Sequence, residues 1–201
     1  MKTGDTYKTI RKHSQGLYKA KGSKFISFAF PVSNEVQVEE HLESVRKKYH
    51  DARHHCYAWA LGYGRTSYKI NDDGEPSGTA GKPIYGQIRA HDLTNLLIVV
   101  LRYFGGTKLG IRGLINAYKG ASIDALTNNV IITETLKTQY RIVFDYLVMN
   151  EVMQIMKEYE LEQRHQDFGL SCTLVFSVRQ SKADVVLRKL NKIKAIDINM
   201  L

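Results

Sequence analysis

The clearest signal in the chain is where its apolar residues fall. Leu96 to Tyr103 is an apolar run long enough to predict a buried strand. Tyr7 to Lys12 and Lys24 to Val32 read as strands, the second alternating Phe25, Ser27 and Ala29, and the two are expected to pair across Gly16. Asn34 with Gln37 three residues on forms a capping-box pattern, and Val38, Leu42, Val45 and Tyr49 recur at helical spacing, which predicts an amphipathic helix over residues 35–49. His55 to Leu61 and Tyr68 to Ile70 read as strands, and Pro83 opens a short helix to about Ala90. Leu114, Tyr118, Ala121 and Ala125 mark a further helix.

The last third follows one compact rule. Tyr140 to Tyr146 alternates as a strand, and Val152, Met153, Ile155, Met156 and Tyr159 lie on a helix. Leu161 to Gln166 and Thr173 to Val178 flank a turn at Asp167-Phe168-Gly169, Ser181 with Asp184 caps a helix, and Ala195 to Leu201 closes as a strand. The order β-α-β-β-α-β is that of a ferredoxin-like domain. Gly169 is the sole glycine after Gly120, and the stretch Thr127 to Thr138 is rich in Thr and Asn. Both observations predict an α+β chain with a domain boundary near residue 135, dividing it into residues 1–135 and 136–201. Cys172 and His165 stand isolated in the second part, as a packed thiol and a surface imidazole, so that part is assigned a docking or scaffolding role.

Composition narrows the setting. Two cysteines in 201 residues, Cys56 and Cys172, support neither a disulfide framework nor a zinc finger, which fits a reducing cytoplasmic location. No apolar segment approaches the roughly 20 residues that span a bilayer, so no membrane partner is expected. The formal charge of +9 favours an anionic partner. Most of that excess lies in residues 1–24, where seven Lys and Arg face Asp5 alone, so placed cations matter more than bulk charge.

Three segments carry candidate chemistry. The first runs Asp72, Asp73, Gly74, Glu75, Pro76, Ser77, Gly78, Thr79, Ala80, Gly81, Lys82, Pro83. A glycine-rich loop entering a helix offers free N–H groups and a positive dipole end to phosphate, with Lys82 adding a full charge. Pro83 stands where a Walker loop has Ser or Thr, so ATP hydrolysis is not indicated. Asp72, Asp73 and Glu75 are also hard-cation donors, and the plainer alternative is an acidic surface turn.

The second segment runs from Arg102 to Gly113 between the buried strand and a helix. Arg102, Lys108 and Arg112 are its cations, Tyr103 and Phe104 its stacking faces, and Gly105, Gly106 and Gly110 its turning points, a set suited to a nucleic-acid backbone. The alternative is a tight connection with Phe104 in the core. The third segment, His50 to Cys56, places His54 and Cys56 on one face of a strand, which permits a thiolate beside an imidazole; a packed Cys56 is the alternative, with Arg53, His54 and His55 lining an anion site.

Together, Asp51-Ala52-Arg53-His54-His55-Cys56, Ala58-Trp59, the string Asp73 to Pro83, Arg102-Tyr103, Gly105-Gly106, Leu109-Gly110, Gly113-Leu114 and Ala117-Tyr118 resemble the YigZ/IMPACT family over most of residues 15–125. The resemblance implies a first domain with the left-handed β-α-β fold of the second domain of a small-subunit ribosomal protein and of domain IV of elongation factor G, and a ferredoxin-like second domain. It also implies a link to translational control. The chain departs from the family's pattern at Ile111-Arg112, ahead of Gly113. The leading expectation is a non-enzymatic protein, with no cofactor or metal, contacting RNA or the ribosome through Lys24, Arg53, His54, Lys82, Arg102, Lys108 and Arg112, with a translation-related protein as a further partner. The alternative is a metal-assisted enzyme on a phosphorylated or peptide substrate, using Asp73 and Glu75 with His54, His55 or Cys56.

Overall fold

The computed structural model describes residues 4–169 and 171–201, which form a mixed α/β chain with several sheets and five α-helices. They divide into two compact units, residues 7–134 and residues 135–201 with residues 4–6.

The first unit is built on β2 (Ser14–Ala20), β3 (Ser23–Pro31), β4 (His54–Leu61), β5 (Ser67–Asn71) and β6 (Leu96–Tyr103), in the sheet order β2-β3-β6-β4-β5. All neighbours are antiparallel. Helix α1 (Glu35–Lys48) covers one face, where Val38, Leu42 and Val45 pack with Phe28, Trp59, Leu97 and Val99. Each such burial contributes about 1.5–3 kcal/mol. Helices α2 (Gly81–Ala90) and α3 (Gly110–Thr127) cover the other face, where Ile84, Ile88, Ala117, Tyr118 and Ala121 pack with Phe25, Cys56, Ile98 and Val100. Two covered faces explain why β6 is apolar without alternation. Helix α1 starts as its sequence predicts: the Asn34 side chain accepts from the Gln37 N–H at 3.0 Å, and the Gln37 side chain accepts from the Ser33 N–H at 2.8 Å.

Two expectations for this unit require correction. Tyr7 to Lys12 does not pair with Lys24 to Val32: β1 (Thr6–Ile10) pairs with β7 (Ile131–Thr135) in a separate two-stranded sheet, and β2 is the strand beside β3. Gly16 lies inside β2 instead of at a turn, because a Cβ there would meet the Ala125 amide nitrogen of α3 at 2.4 Å. The turn is at Lys21-Gly22, both at positive φ, the two-residue hairpin geometry that matches strand twist. The Thr- and Asn-rich stretch holds a strand ahead of the division between the two units at residues 134 and 135. Helix α3 runs to Thr127 and β7 follows after three residues, its β-branched Ile and Thr residues suiting a strand.

The second unit runs β8 (Lys137–Asp145), α4 (Met149–Glu158), β9 (Glu162–Phe168), β10 (Ser171–Arg179), α5 (Gln180–Leu190) and β11 (Ile196–Met200). Its antiparallel sheet has the order β11-β8-β10-β9, and its core gathers Ile142, Phe144, Leu174 and Phe176 with Val152, Met156, Val186 and Leu190. The turn predicted at Asp167 to Gly169 is tighter than expected, since Asp167 and Phe168 still pair with Thr173 and Cys172. Ser181 does not cap α5 with its side chain. Instead the Asp5 carboxylate accepts the Ser181 N–H at 3.0 Å and grips the Arg179 guanidinium with two contacts of 2.7 Å.

Candidate functional site

Strand register assembles the site. On β6, Arg102 lies opposite His54 of β4 on one side and Phe25 of β3 on the other, so all three side chains emerge on the α2–α3 face at one end of the sheet. The Arg102 guanidinium lies 5.7 Å from the Phe25 ring centroid and 5.5 Å from that of Phe104. Its Nη1 donates to Glu75 Oε1 at 2.7 Å, with only 10% of the Arg102 side chain and 3% of the Glu75 side chain exposed. Tyr118 of α3 donates its hydroxyl to the same oxygen at 2.9 Å. The Cys56 thiol completes the chain of contacts, 2.9 Å from the Asp72 carbonyl and 3.3 Å from the Tyr118 hydroxyl.

This interior is a positioning network. Burial pushes the Cys56 thiol well above its ordinary range, with Glu75, Asp73 and Asp72 adding to the effect of burial. Burial, with Cys56 and Glu75 alongside, pushes the Tyr118 phenol up in the same way. Both groups therefore stay protonated and act as donors. The thiolate–imidazole arrangement considered for His54 and Cys56 is not what the geometry holds: His54 Nδ1 donates to the Asp73 carbonyl at 2.7 Å and the Cys56 Sγ faces the Asp72 carbonyl.

The glycine-rich loop also spends its donors internally. The Asp72 carboxylate accepts from the backbone N–H groups of Gly78 at 2.8 Å, Ala80 at 3.0 Å and Gly81 at 2.8 Å. Burial acts to raise the Asp72 pKa, and the three amide bonds with nearby Lys82 outweigh it, leaving the carboxyl below its ordinary value. Ser77 is exposed, and Thr79 is buried with its hydroxyl on the Pro76 carbonyl at 2.6 Å. The amides expected to face a phosphate thus face an aspartate of the same loop. The three carboxylates are also engaged separately, since Asp73 accepts the His55 N–H at 2.5 Å and Glu75 holds Arg102 and Tyr118. Among the described residues no cluster of three or more His, Cys, Asp or Glu is arranged to hold a metal ion.

Above this network lies an open cleft of about 310 Å³ lined by Arg53, His54, Arg102, Phe104 and Lys108. Four of the expected contact residues therefore share one surface. Lys24 lines an adjoining cleft of about 410 Å³ with Gly22, Ile26, Tyr103 and Phe104. Lys82 and Arg112 line neither cleft, and the Lys82 stem rests near Gly78. Gly74 backs His54, where a Cβ would lie 3.4 Å from Nδ1, and Gly105 lets the chain pass over the β2–β3 hairpin, where a Cβ would come within 2.0 Å of the Gly22 carbonyl carbon. Gly106, in the exposed loop beside Lys108, and Gly110, the first residue of α3, hold positive φ. Tyr103 turns its hydroxyl to Asp51 at 2.9 Å, and burial together with that carboxylate pushes its pKa to about 12.

Glu75 is visible in the sequence as a motif position and Tyr118 as an apolar helix position, and neither spacing shows that Glu75 meets both Arg102 and Tyr118. A tyrosine in an otherwise apolar stripe was the available signal, because a buried hydroxyl requires a partner.

The profile of the Impact N-terminal domain matches residues 21–126. The IMPACT family member YvyE of Bacillus subtilis is 37% identical over 129 residues, covering 64% of this chain and 59% of that protein. The IMPACT family member YigZ of Escherichia coli is 38% identical over 128 residues, covering 63% of each. The chain thus spans about three-fifths of the length of these curated relatives. A crystal structure described as that of a hypothetical protein superposes at a TM-score of 0.74 with 26% identity, covering 98% of both chains. With the profile covering more than half of its residues, including the loop from Asp73 to Pro83 and the cleft built on Arg102, the chain belongs to the IMPACT family.

Proposed function

We propose that this chain is a non-enzymatic cytoplasmic protein that binds RNA, free or on the ribosome, in the regulation of translation. The observation that carries this reading is the convergence of Arg53, His54, Arg102 and Lys108 with the Phe104 ring on one open cleft. A cationic surface with an accessible aromatic face is what phosphate and base chemistry require. The link to translation comes from the family, and a translation-related protein partner belongs to the same proposal. No helix among the described residues is long and apolar enough to cross a membrane.

The domain reading is part of this proposal, except that residues 4–6 belong to the second compact unit. Residues 1–135 would form the IMPACT-type domain with the ribosomal-protein-like fold, and residues 136–201 a ferredoxin-like domain. The element order and the strand order β11-β8-β10-β9 support the second assignment.

The test is co-sedimentation with ribosomal subunits and binding to total RNA across a salt series. The expected result is a linear fall of log affinity with log salt, with a slope reduced by about one for each phosphate contact removed in Arg53→Glu or Lys108→Glu. Unchanged affinity in the double variant at low salt would overturn the reading.

A further inference from the structure

The Phe104 ring is a wall common to both clefts. It is 54% exposed, the Arg102 guanidinium lies over it at 5.5 Å, and cations stand on either side, Lys24 in one cleft and Arg53 with Lys108 in the other. Arg102 itself is nine-tenths buried, donates from Nη1 to Glu75, and has a buried Nε with no hydrogen-bond partner among the described residues. The guanidinium's donors are therefore not all spent inside the fold, and the guanidinium lines the cleft.

This arrangement discriminates between forms of nucleic acid. A duplex keeps its base faces inside its own stack and presents phosphates, which Lys24, Arg53 and Lys108 alone can meet. An unpaired strand also offers a free base face, which an exposed ring flanked by cations is built to take. Each cleft is of the volume that holds a group the size of one nucleotide.

We propose that the paired clefts select single-stranded RNA, with one unpaired base stacked on Phe104 and the strand's phosphates running from Lys24 on one side to Arg53 and Lys108 on the other. This rests on the RNA-binding reading above and adds to it a ligand form and a strand path.

The test is fluorescence anisotropy of the full chain with a labelled oligouridine of about ten nucleotides and a labelled hairpin duplex carrying as many phosphates. The single strand is expected to bind at least roughly tenfold more tightly than the duplex. Phe104→Ala should lose roughly 5- to 150-fold on the single strand and leave the duplex unchanged, while Phe104→Trp retains binding. Trp59 fluorescence through a urea titration checks that each variant is folded. Equal affinity for the two probes, or a silent Phe104→Ala, overturns the stacking proposal. If in that event Arg53→Glu with Lys108→Glu still weakens both probes, the RNA-binding reading stands without it. If neither probe binds at low salt, both fall.

Discussion

Glu75 and Arg102 lie 27 positions apart in the chain and meet at 2.7 Å with both side chains at least nine-tenths buried. A buried ion pair contributes little beyond what an apolar replacement would, but removing one partner strands the other without water. Glu75→Ala should therefore destabilise the first unit by about 3–5 kcal/mol, and Glu75→Gln, which keeps an acceptor for Tyr118, by less. Urea unfolding followed by the fluorescence of Trp59, buried in that unit, measures both. A change below about 1 kcal/mol in the alanine variant would mean that the pair does not organise the site.

Cys56 should be chemically silent. Its thiol is fully buried and held protonated by burial and the surrounding carboxylates. In native protein at mildly alkaline pH, Ellman's reagent should leave Cys56 unmodified, and denaturant should expose it at once. Rapid native labelling of Cys56, located by peptide mapping, would contradict its place in the network.

The Asp72 carboxylate holds three backbone amides. Asp72→Ala leaves those donors without their acceptor and is expected to cost about 1–3 kcal/mol. Hydrogen exchange supplies the specific readout: protection at Gly78, Ala80 and Gly81 should collapse, while the amides of β6 keep theirs. Unchanged exchange at the three loop amides would show that the carboxylate is not their acceptor.

In the second unit, the bidentate Arg179 bond, aided by Ser181, holds the Asp5 carboxyl well below its ordinary value of 3.8. A depressed folded pKa contributes stability that is complete above the unfolded value and is lost as pH falls through the folded one. Stability should hold down to about pH 4 and decline below it. Asp5→Asn should flatten that acid limb, in part only, because Asp72 and Glu162 are shifted in the same direction. An acid limb identical to that of the unsubstituted chain would remove Asp5 from the account.

Where local pattern and tertiary demand agreed, the elements could be read from the residues. Leu96 to Tyr103 is β6 to the residue, since eight largely apolar positions admit no other use. Gly16 misled because the same residue type serves a turn and a close approach, and only the position of Ala125, more than a hundred residues later, distinguishes them. The strand at Ile131 has as its partner β1, and no local signal announces that pairing. For the site, the cations of the cleft were readable one by one as charges beside glycine-rich loops. Their convergence was not, because it follows from the register that sets His54 opposite Arg102. The spacing offers the loop amides as donors for a phosphate, and only the fold shows Asp72 taking them.

Strands β3 and β4 each bond to β6 and not to each other. Before Leu96 is made, the strands of this sheet can pair only as two separate hairpins, β2-β3 and β4-β5, each with an open inner edge that residues 96–103 close. A chain halted before that point has no Arg102, no floor for the cleft and two adhesive strand edges. β6 is thus the last strand of this sheet to be made and the one that both hairpins need, and the surface proposed for RNA depends on it.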